Sequence, residues 1–169
     1  DFREVTPASS PADLSLDEDG AVDPRRSRRT PLAVGVPGSP RGLFELYKTH
    51  GSRRLSFTQV CESAILLAEN GFRVDPWLAA SLERESVREL LGADPGAARV
   101  FYPGGEPLAE GETLVQPALA RTLRSYALGG PDGFYSGSVA KAIVADLAEA
   151  DARTGGAAGA SLMSRSDLK

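Results

Sequence analysis

Few residues in the chain are of the types that carry catalysis or bind metals. The 169 residues include one cysteine, Cys61, and one histidine, His50. Structural zinc sites take four ligands, so these two residues do not make one by themselves. Cys61 lies in a helical stripe, where a free cysteine usually acts as a small apolar side chain. His50 falls in the last turn of a predicted helix, where the helix dipole stabilises a protonated imidazole. We therefore expect neither residue to be catalytic.

Basic residues offer a second possible chemistry, the binding of anions. Four arginines, at positions 25, 26, 28 and 29, follow an acidic cluster at residues 17–19. Isolated clusters of this kind are usually solvated loops, and we expect one here. The chain has 16 Arg but only 3 Lys, and its net charge is −4. It contains neither common glycine-rich phosphate loop, and its aromatic residues do not alternate with basic ones. We expect no nucleic-acid partner.

Size and composition are those of a globular protein, with 41% hydrophobic and 25% charged residues. A single cysteine excludes an intrachain disulfide framework, and no apolar run approaches the 18 residues of a membrane span. The chain begins on Asp1 without an initiator methionine. We expect it to be an internal segment of a longer protein, with residues 1–169 forming part of a single domain.

Five helices and a few short strands are the elements expected to position any functional residue. Pro40 starts the first helix, which carries Leu43, Leu46 and Tyr47 on one face. A capping box at residues 56–59 starts the second, with Val60, Ala64, Leu67 and Ala68 on its apolar stripe and Gly71 as its left-handed terminator.

Further helix signals follow along the chain. Asp75 and Pro76 open a helix whose apolar positions extend to Leu91; Pro117 opens one that ends at residues 129–130. Ser138 caps another, and residues 164–167 resemble the start of one more. Residues 32–36 and 100–102 are strand-like, with a turn at Pro37 and Gly38, and residues 113–115 lead into the helix start at Pro117. The Gly/Ala-rich residues 154–160 predict a flexible linker.

Seven motif-bearing segments in order resemble the γ-glutamyltranspeptidase family over the whole chain. Each is weak alone, but the ordered set is specific. They are D-F-R-E at 1–4 with P-A at 7–8, V-G-V-P-G at 34–38 with G-L at 42–43, Y-K-T-H-G at 47–51, A-E-N-G-F at 68–72, G-E-T-L-V-Q-P at 111–117 with L-A at 119–120 and Leu123, G-P-D-G-F-Y-S-G at 130–137, and L-M-S-R-S-D-L at 162–168. The chain departs from the family at Thr6, where alanine is usual, and in the expanded run at residues 155–160.

The resemblance implies an α+β fold: a mainly helical segment of the large subunit of an N-terminal-nucleophile hydrolase, whose complete fold is a four-layer αββα sandwich. The family's precursor cuts itself into a large and a small subunit. The new N-terminal threonine of the small subunit then carries the γ-glutamyl group of glutathione or a similar donor to water or to an amino-acid or peptide acceptor. That threonine is absent from this chain, so no catalytic residue is assigned here.

One substrate contact transfers through the resemblance. Arg3, in the D-F-R-E motif, would hold the α-carboxylate of the γ-glutamyl group, because a guanidinium binds a carboxylate through two parallel hydrogen bonds. The alternative for Arg3 is a structural ion pair with Glu4 or Asp1. Glu4 would orient Arg3 or a nearby loop. Residues Gly35, Pro37 and Gly38 would shape the backbone and do no chemistry.

Other functions remain open at this point. The chain could instead come from an acylase or transpeptidase that has the same scaffold but another acyl substrate. It could also come from a non-catalytic homologue that supports a partner chain. The resemblance implies no metal and no cofactor. Its members are usually periplasmic or extracellular, and we expect the same location here.

Overall fold

The computed structural model describes residues 6–7, 10, 16, 19–21, 30–153 and 163–168. The chain divides into two compact units. The first contains the described residues up to Phe57 and those from Ser125 onward, and the second is Thr58–Arg124. That all 169 residues belong to one large-subunit domain stays a prediction.

Helices dominate the described residues, and the strands are few and short. Two 3-10 turns occupy Pro31–Ala33 and Pro103–Gly105, and two antiparallel strands, β1 (Phe72–Arg73) and β2 (Thr113–Leu114), pair Phe72 with Leu114. The α-helices of the described part are α1 (Ser39–His50), α2 (Phe57–Asn70), α3 (Pro76–Leu82), α4 (Glu85–Gly92), α5 (Pro95–Phe101), α6 (Pro117–Gly129), α7 (Pro131–Tyr135) and α8 (Gly137–Arg153).

Two helices start at an aspartate cap followed by a proline. The Oδ1 atom of Asp75 accepts a hydrogen bond from the amide of Leu78 at 2.8 Å, and Asp94 does the same for Ala97 at 2.7 Å. Each cap satisfies one of the amides that the first helical turn leaves unpaired. The cap predicted at Asp75 is confirmed, whereas the one at Asp94 was not foreseen.

The core of the first unit joins α7, α8 and the last described segment. Buried residues are Val36, Tyr135, Ala140, Leu147, Met163 and Leu168. Met163 and Leu168 flank a turn in which the amide of Ser164 donates to Oδ2 of Asp167 at 2.8 Å. The expected helix start at residues 164–167 is a turn over the described residues 165–168.

The core of the second unit lies among α3, α4, α5 and the β1–β2 pair. Its buried residues are Val74, Ala79, Leu82, Tyr102, Leu108 and Leu114. The hydroxyl of Tyr102 donates to the carbonyl oxygen of Leu82 at 2.9 Å, so its polar end is satisfied inside the core.

Three expectations about elements were wrong. Residues 32–36 are not a strand: buried Pro31 opens a 3-10 turn, and Val36 keeps only an isolated bridge. Residues 100–102 end helix α5 instead of forming a strand. The helix expected from Asp75 to Leu91 breaks at Arg84, whose backbone is extended. A continuous helix would place Leu82 and Val87 about 140° apart, and the break lets both face one core.

Two apolar stripes are also less buried than their spacing predicts. Leu43 and Leu46 of α1 are exposed, and so are Val60 and Leu67 of α2, where Ile65 and Ala68 are the buried residues. The expected count of five helices was too low for the described residues, because the break at Arg84 divides one expected helix into two and the short helices α5 and α7 carry little periodic signal. Within the described residues, no helix has the length and apolar character needed to cross a membrane.

Candidate functional site

Arg3, predicted to contact substrate, and Glu4, predicted to orient Arg3 or a nearby loop, lie outside the described residues. The arginines at 25, 26, 28 and 29 and the predicted linker at 154–160 also lie outside them. Their roles therefore stay predictions. The structure does show how the other motif-bearing segments are held together.

Tyr135 fixes the V-G-V-P-G segment to the start of helix α1. Its hydroxyl donates to the carbonyl oxygen of Pro37 at 2.5 Å and accepts from the backbone amide of Arg41 at 3.3 Å. The side chain is 6% exposed, and both bonds are partly buried. The guanidinium of Arg41 also lies 5.0 Å from the centre of the Tyr135 ring, within the range of a cation–π contact.

Gly38 acts as the cap of α1. It has φ −99° and ψ −25°, and its carbonyl oxygen accepts the amide of Gly42 at 3.0 Å. The turn expected at Pro37 and Gly38 is therefore the N-terminal cap of the helix. Pro40 falls within the first two helical positions, where its missing N–H costs nothing.

An aromatic cluster made of Phe44, Tyr47, Phe57 and Tyr126 supports the same helix from one side. The ring of Phe57 meets those of Phe44 and Tyr126 edge-on, at centroid distances of 4.8 and 5.0 Å. The hydroxyl of Tyr126 donates to the carbonyl oxygen of Pro40. Tyr126 and Tyr135 thus bind consecutive parts of the segment that leads into α1.

Glycines in the G-P-D-G-F-Y-S-G segment allow close approaches that other residues would block. A Cβ atom on Gly133 would lie 1.9 Å from the carbonyl oxygen of Ser125. The hydroxyl of Ser125 donates to the carbonyl oxygen of Gly133 at 2.8 Å, which joins α6 to α7. Gly130 has φ +57°, and a Cβ there would lie 3.0 Å from the ring of Phe44. The segment therefore needs glycine for packing and for backbone conformation.

A second pair of motif segments meets in the other unit. Gly71 has φ +81°, as its predicted role as a left-handed terminator requires, and a Cβ there would lie 2.6 Å from Cγ2 of Thr113. The amide of Gln116 donates to the carbonyl oxygen of Ala68 at 2.8 Å. Glu69 and Arg124 form an ion pair. The A-E-N-G-F and G-E-T-L-V-Q-P segments therefore pack directly on each other.

Cys61 lies within a helix and His50 lies in the last turn of another, as the sequence predicts. Cys61 is half-buried on α2, and burial raises the pKa of its thiol, which disfavours the nucleophilic thiolate. His50 is the last residue of α1 and is exposed. In the described part of the chain, no three His, Cys, Asp or Glu side chains are grouped so that they could hold a metal ion.

Sequence reasoning missed the two tyrosines that hold the α1 segment. Tyr135 belongs to the G-P-D-G-F-Y-S-G motif, but neither tyrosine was given a hydrogen-bonding role. The only signal for such a role is that buried tyrosine hydroxyls usually find a partner. The partner itself cannot be read from the sequence, because Pro37 and Tyr135 are 98 positions apart.

Within each of the two units, the described residues therefore bring separate motif segments into contact. The family model described as gamma-glutamyltranspeptidase matches residues 1–169. The chain belongs to this family. It is 42% identical over 146 residues to the glutathione hydrolase proenzyme of Bacillus subtilis, covering 85% of this chain and 24% of that protein.

A second relative and a solved structure show the same family likeness. The chain is 41% identical over 110 residues to the capsule biosynthesis protein CapD proenzyme of Bacillus anthracis, covering 65% of this chain and 20% of that protein. It superimposes on the γ-glutamyltranspeptidase of Helicobacter pylori with a TM-score of 0.86 at 32% identity, covering 99% of this chain and 45% of that one. The expected fold class, a mainly helical segment of an N-terminal-nucleophile hydrolase large subunit, is confirmed. The chain spans about a quarter of the length of the curated relatives it matches.

Proposed function

We propose that the chain is the large-subunit segment of a γ-glutamyltransferase or glutathione hydrolase. The complete protein would transfer the γ-glutamyl group of glutathione-like donors to water or to an amino-acid or peptide acceptor. The observation that carries the proposal is the family match over all 169 residues, which includes the D-F-R-E segment. Relatives named glutathione hydrolase proenzymes support both the activity and a precursor that is cut.

The nucleophile of this reaction would be the N-terminal threonine of a small subunit, formed when the precursor cuts itself. A threonine hydroxyl is weakly nucleophilic at neutral pH, and its own α-amine can take the proton. Backbone amides of the same subunit would stabilise the oxyanion that forms at the attacked carbonyl. This chain would contribute substrate binding and scaffold, and the reaction would use no metal or cofactor.

Arg3 would bind the donor. Its guanidinium stays charged and presents two parallel N–H groups that match the two oxygens of an α-carboxylate. Glu4 would hold Arg3 or its loop in position, because charged binding residues depend on neighbours that fix their orientation. The location of the complete protein would be periplasmic or extracellular, as is usual for the family.

A related acylase or transpeptidase with another acyl substrate is the second candidate. The similarity to the CapD proenzyme favours it, because that relative is named for capsule biosynthesis. Retention of Arg3 favours a donor with a free α-carboxylate. A non-catalytic homologue is the third candidate, and it predicts a precursor that lacks the threonine.

Assays on the complete protein separate these candidates. We expect the purified precursor to yield two subunits by mass spectrometry and to release p-nitroaniline from γ-glutamyl-p-nitroanilide, faster when glycylglycine is added. Replacing the N-terminal threonine of the small subunit by alanine should abolish both cleavage and turnover. Two subunits without γ-glutamyl turnover would indicate another acyl substrate, and an uncut precursor without turnover would indicate a non-catalytic homologue.

A further inference from the structure

The loop between α1 and α2 carries two adjacent arginines, Arg53 and Arg54. It spans residues 51–56, and residues 52–56 are all exposed. Within the described residues, neither arginine side chain forms an ion pair. Both guanidinium groups stay charged at any physiological pH, so an acidic partner can bind either one.

Side chains hold the backbone of this loop at the surface. Helix α1 ends where the amide of Gly51 donates to the carbonyl oxygen of Tyr47 at 2.9 Å. Beyond it, the hydroxyl of Ser52 accepts the amide of Arg54 at 3.4 Å, and the hydroxyl of Tyr47 donates to the carbonyl oxygen of Leu55 at 2.9 Å. Both of these bonds are exposed, so water can replace them when the loop is displaced.

Arg53 has a backbone conformation that favours a change of shape in the loop. Its φ is +59°, in the left-handed region that residues with a side chain seldom adopt. A protease active site takes an extended segment of chain, as other sites that pair with a strand do. A move of Arg53 from the left-handed to the extended region therefore leads to a conformation that L-residues prefer, and it does not oppose binding.

Arg84, between α3 and α4, shows that an exposed arginine outside a helix is not enough. It is also exposed, and its own backbone is already extended. However, its amide donates to the carbonyl oxygen of Ser81 at 3.4 Å, and its carbonyl oxygen accepts the amides of Val87 and Arg88, both at 2.9 Å. These bonds end one helix and start the next, so a protease would have to break them before it could bind the chain at Arg84.

We propose that the loop at residues 51–56 is a cleavage site for trypsin-like serine proteases, whose specificity pocket carries a carboxylate that pairs with arginine. For a cut after Arg54, water adds to the carbonyl carbon of Arg54 and the bond to the nitrogen of Leu55 breaks. The products are a carboxylate on Arg54 and an amine on Leu55. This cut goes beyond the proposed function, because a second protein catalyses it inside the large-subunit segment and it needs neither the threonine nor a donor.

The aromatic cluster should keep the two pieces together after the cut. The ring of Phe57, which follows the loop, lies 4.8 Å from the ring of Phe44 and 5.1 Å from that of Tyr47, which precede it. The hydroxyl of Tyr126 also donates to the carbonyl oxygen of Pro40, across the same loop. None of these contacts uses a residue of the loop, so the cut protein should keep its fold.

Limited proteolysis of the complete protein tests the site. Trypsin is added to the native protein and to the same protein in urea, and mass spectrometry identifies each new terminus, so that cuts elsewhere do not obscure the result. We divide each native rate by the rate of the same cut in urea. We expect this ratio to be at least about a hundredfold larger after Arg53 or Arg54 than after Arg84, where cleavage requires local opening. Equal ratios, or an uncut loop in the native protein, would overturn the proposal.

Variants and size-exclusion chromatography complete the test. Arg53→Gln combined with Arg54→Gln should abolish the cut in the loop, whereas Arg121→Gln, at an exposed position of α6, should retain it. The cut protein should elute with the intact protein in native buffer and separate into pieces only when denatured. Release of a piece that ends at Arg53 or Arg54 in native buffer would contradict the role of the aromatic cluster. None of these readouts uses γ-glutamyl turnover, so a failure of the proposed function would leave them interpretable.

Discussion

The hydroxyl of Tyr135 donates a hydrogen bond to the carbonyl oxygen of Pro37 at 2.5 Å, across 98 positions of sequence. The same oxygen atom of Tyr135 accepts the backbone amide of Arg41, and the Arg41 guanidinium lies over the ring. One buried side chain therefore satisfies backbone groups on both sides of the turn into α1. Tyr135, which belongs to the G-P-D-G-F-Y-S-G motif, therefore helps to fix the backbone of the V-G-V-P-G segment. The five residues of that segment do not determine their conformation alone.

Removing this hydroxyl should loosen the segment locally. In Tyr135→Phe the carbonyl of Pro37 and the amide of Arg41 lose a partner at a partly buried position, where water replaces it less readily than at the surface. Leaving buried polar groups unpaired costs about 1–3 kcal/mol. We expect the amides of residues 34–43 to exchange with deuterium roughly tenfold to a hundredfold faster, measured by mass spectrometry on the complete protein.

Tyr47→Phe is the matched control for that change. The hydroxyl of Tyr47 donates to the carbonyl oxygen of Leu55 at 2.9 Å, but Leu55 is exposed and water can replace the lost donor. The amides of residues 34–43 should gain far less in exchange rate in Tyr47→Phe than in Tyr135→Phe. Equal effects of the two variants would mean that the aromatic rings, and not the buried hydroxyl, hold the segment.

Replacement by alanine should lower the folding stability at Gly133 but not at Gly129. In Gly133→Ala the Cβ atom would lie 1.9 Å from the backbone oxygen of Ser125, so α6 and α7 would have to separate. We expect a loss toward the upper end of the about 1–3 kcal/mol that overpacking usually costs, seen as a lower thermal midpoint or a loss of soluble protein.

At Gly129 an added Cβ meets no atom within 4 Å, and the residue ends a helix. Gly129→Ala should leave the midpoint unchanged or raise it slightly, since alanine loses up to about 1 kcal/mol less conformational free energy than glycine. If Gly133→Ala were as stable as Gly129→Ala, α6 and α7 would be able to move apart with little loss of folding stability.

Local sequence signals predicted much of the fold. The aspartate cap at Asp75, the left-handed Gly71 and the helix start at Pro117 are each set by neighbours within a few positions, and all three were predicted. The errors arose where tertiary packing decides. Residues 100–102 have strand-forming side chains, yet the cap at Asp94 and the core around Tyr102 make them the end of α5.

The candidate site was predictable only through family resemblance. The positions of Arg3 and Glu4 come from a motif, because no local rule gives an arginine the task of binding a substrate carboxylate. The roles of Tyr126 and Tyr135 needed coordinates, since a hydrogen bond between distant positions has no periodic signature. Leu43 and Leu46 are exposed, although their apolar spacing predicts that they are buried. Periodicity indicates which face of a helix should pack, but it does not identify the residues that cover that face.

Cys61 should react slowly and should be dispensable for activity. Burial raises the pKa of its thiol, so less thiolate is present at a given pH in the folded state than in the unfolded state. We expect iodoacetamide at pH 8 to alkylate the native protein more slowly than the same protein in urea, with the difference shrinking as pH rises above the folded pKa.

Cys61→Ala should retain γ-glutamyl turnover, because Cys61 lies on α2 outside all seven motif-bearing segments. A loss of turnover in a folded, cleaved Cys61→Ala protein would assign the thiol a role that its half-buried position on α2 does not suggest. Faster alkylation in the native state would contradict the raised pKa directly.

The 169-residue chain by itself should show no γ-glutamyl transfer. In the proposed mechanism the nucleophilic threonine, its α-amine and the oxyanion donors all belong to another part of the polypeptide. We expect no release of p-nitroaniline from γ-glutamyl-p-nitroanilide above the buffer rate. The complete protein, assayed beside it at equal molar concentration, is the positive control. Turnover by the purified chain would refute the proposed division of labour between subunits.

Arg3→Lys should damage donor use more than its retained charge suggests. Lysine keeps the positive charge but loses the planar pair of N–H groups that matches a carboxylate. Each charge-assisted hydrogen bond contributes about 1.5–3 kcal/mol, so loss of one should weaken donor binding by roughly tenfold to a hundredfold. The change should appear mainly in the donor's KM, because the α-carboxylate is remote from the reacting amide and is held alike in ground and transition states.

Steady-state kinetics with glutathione test this on a variant confirmed to be cleaved into two subunits. Cleavage should survive, because the precursor's own peptide bond presents no free α-carboxylate to Arg3. Arg121→Lys, at an exposed position of α6, is the matched control and should leave the donor's KM unchanged. A rise in KM for Arg3→Lys alone would support carboxylate binding. Unchanged donor kinetics would make Arg3 a structural residue, paired with Glu4 or Asp1, and the assignment of the substrate site would fall with it.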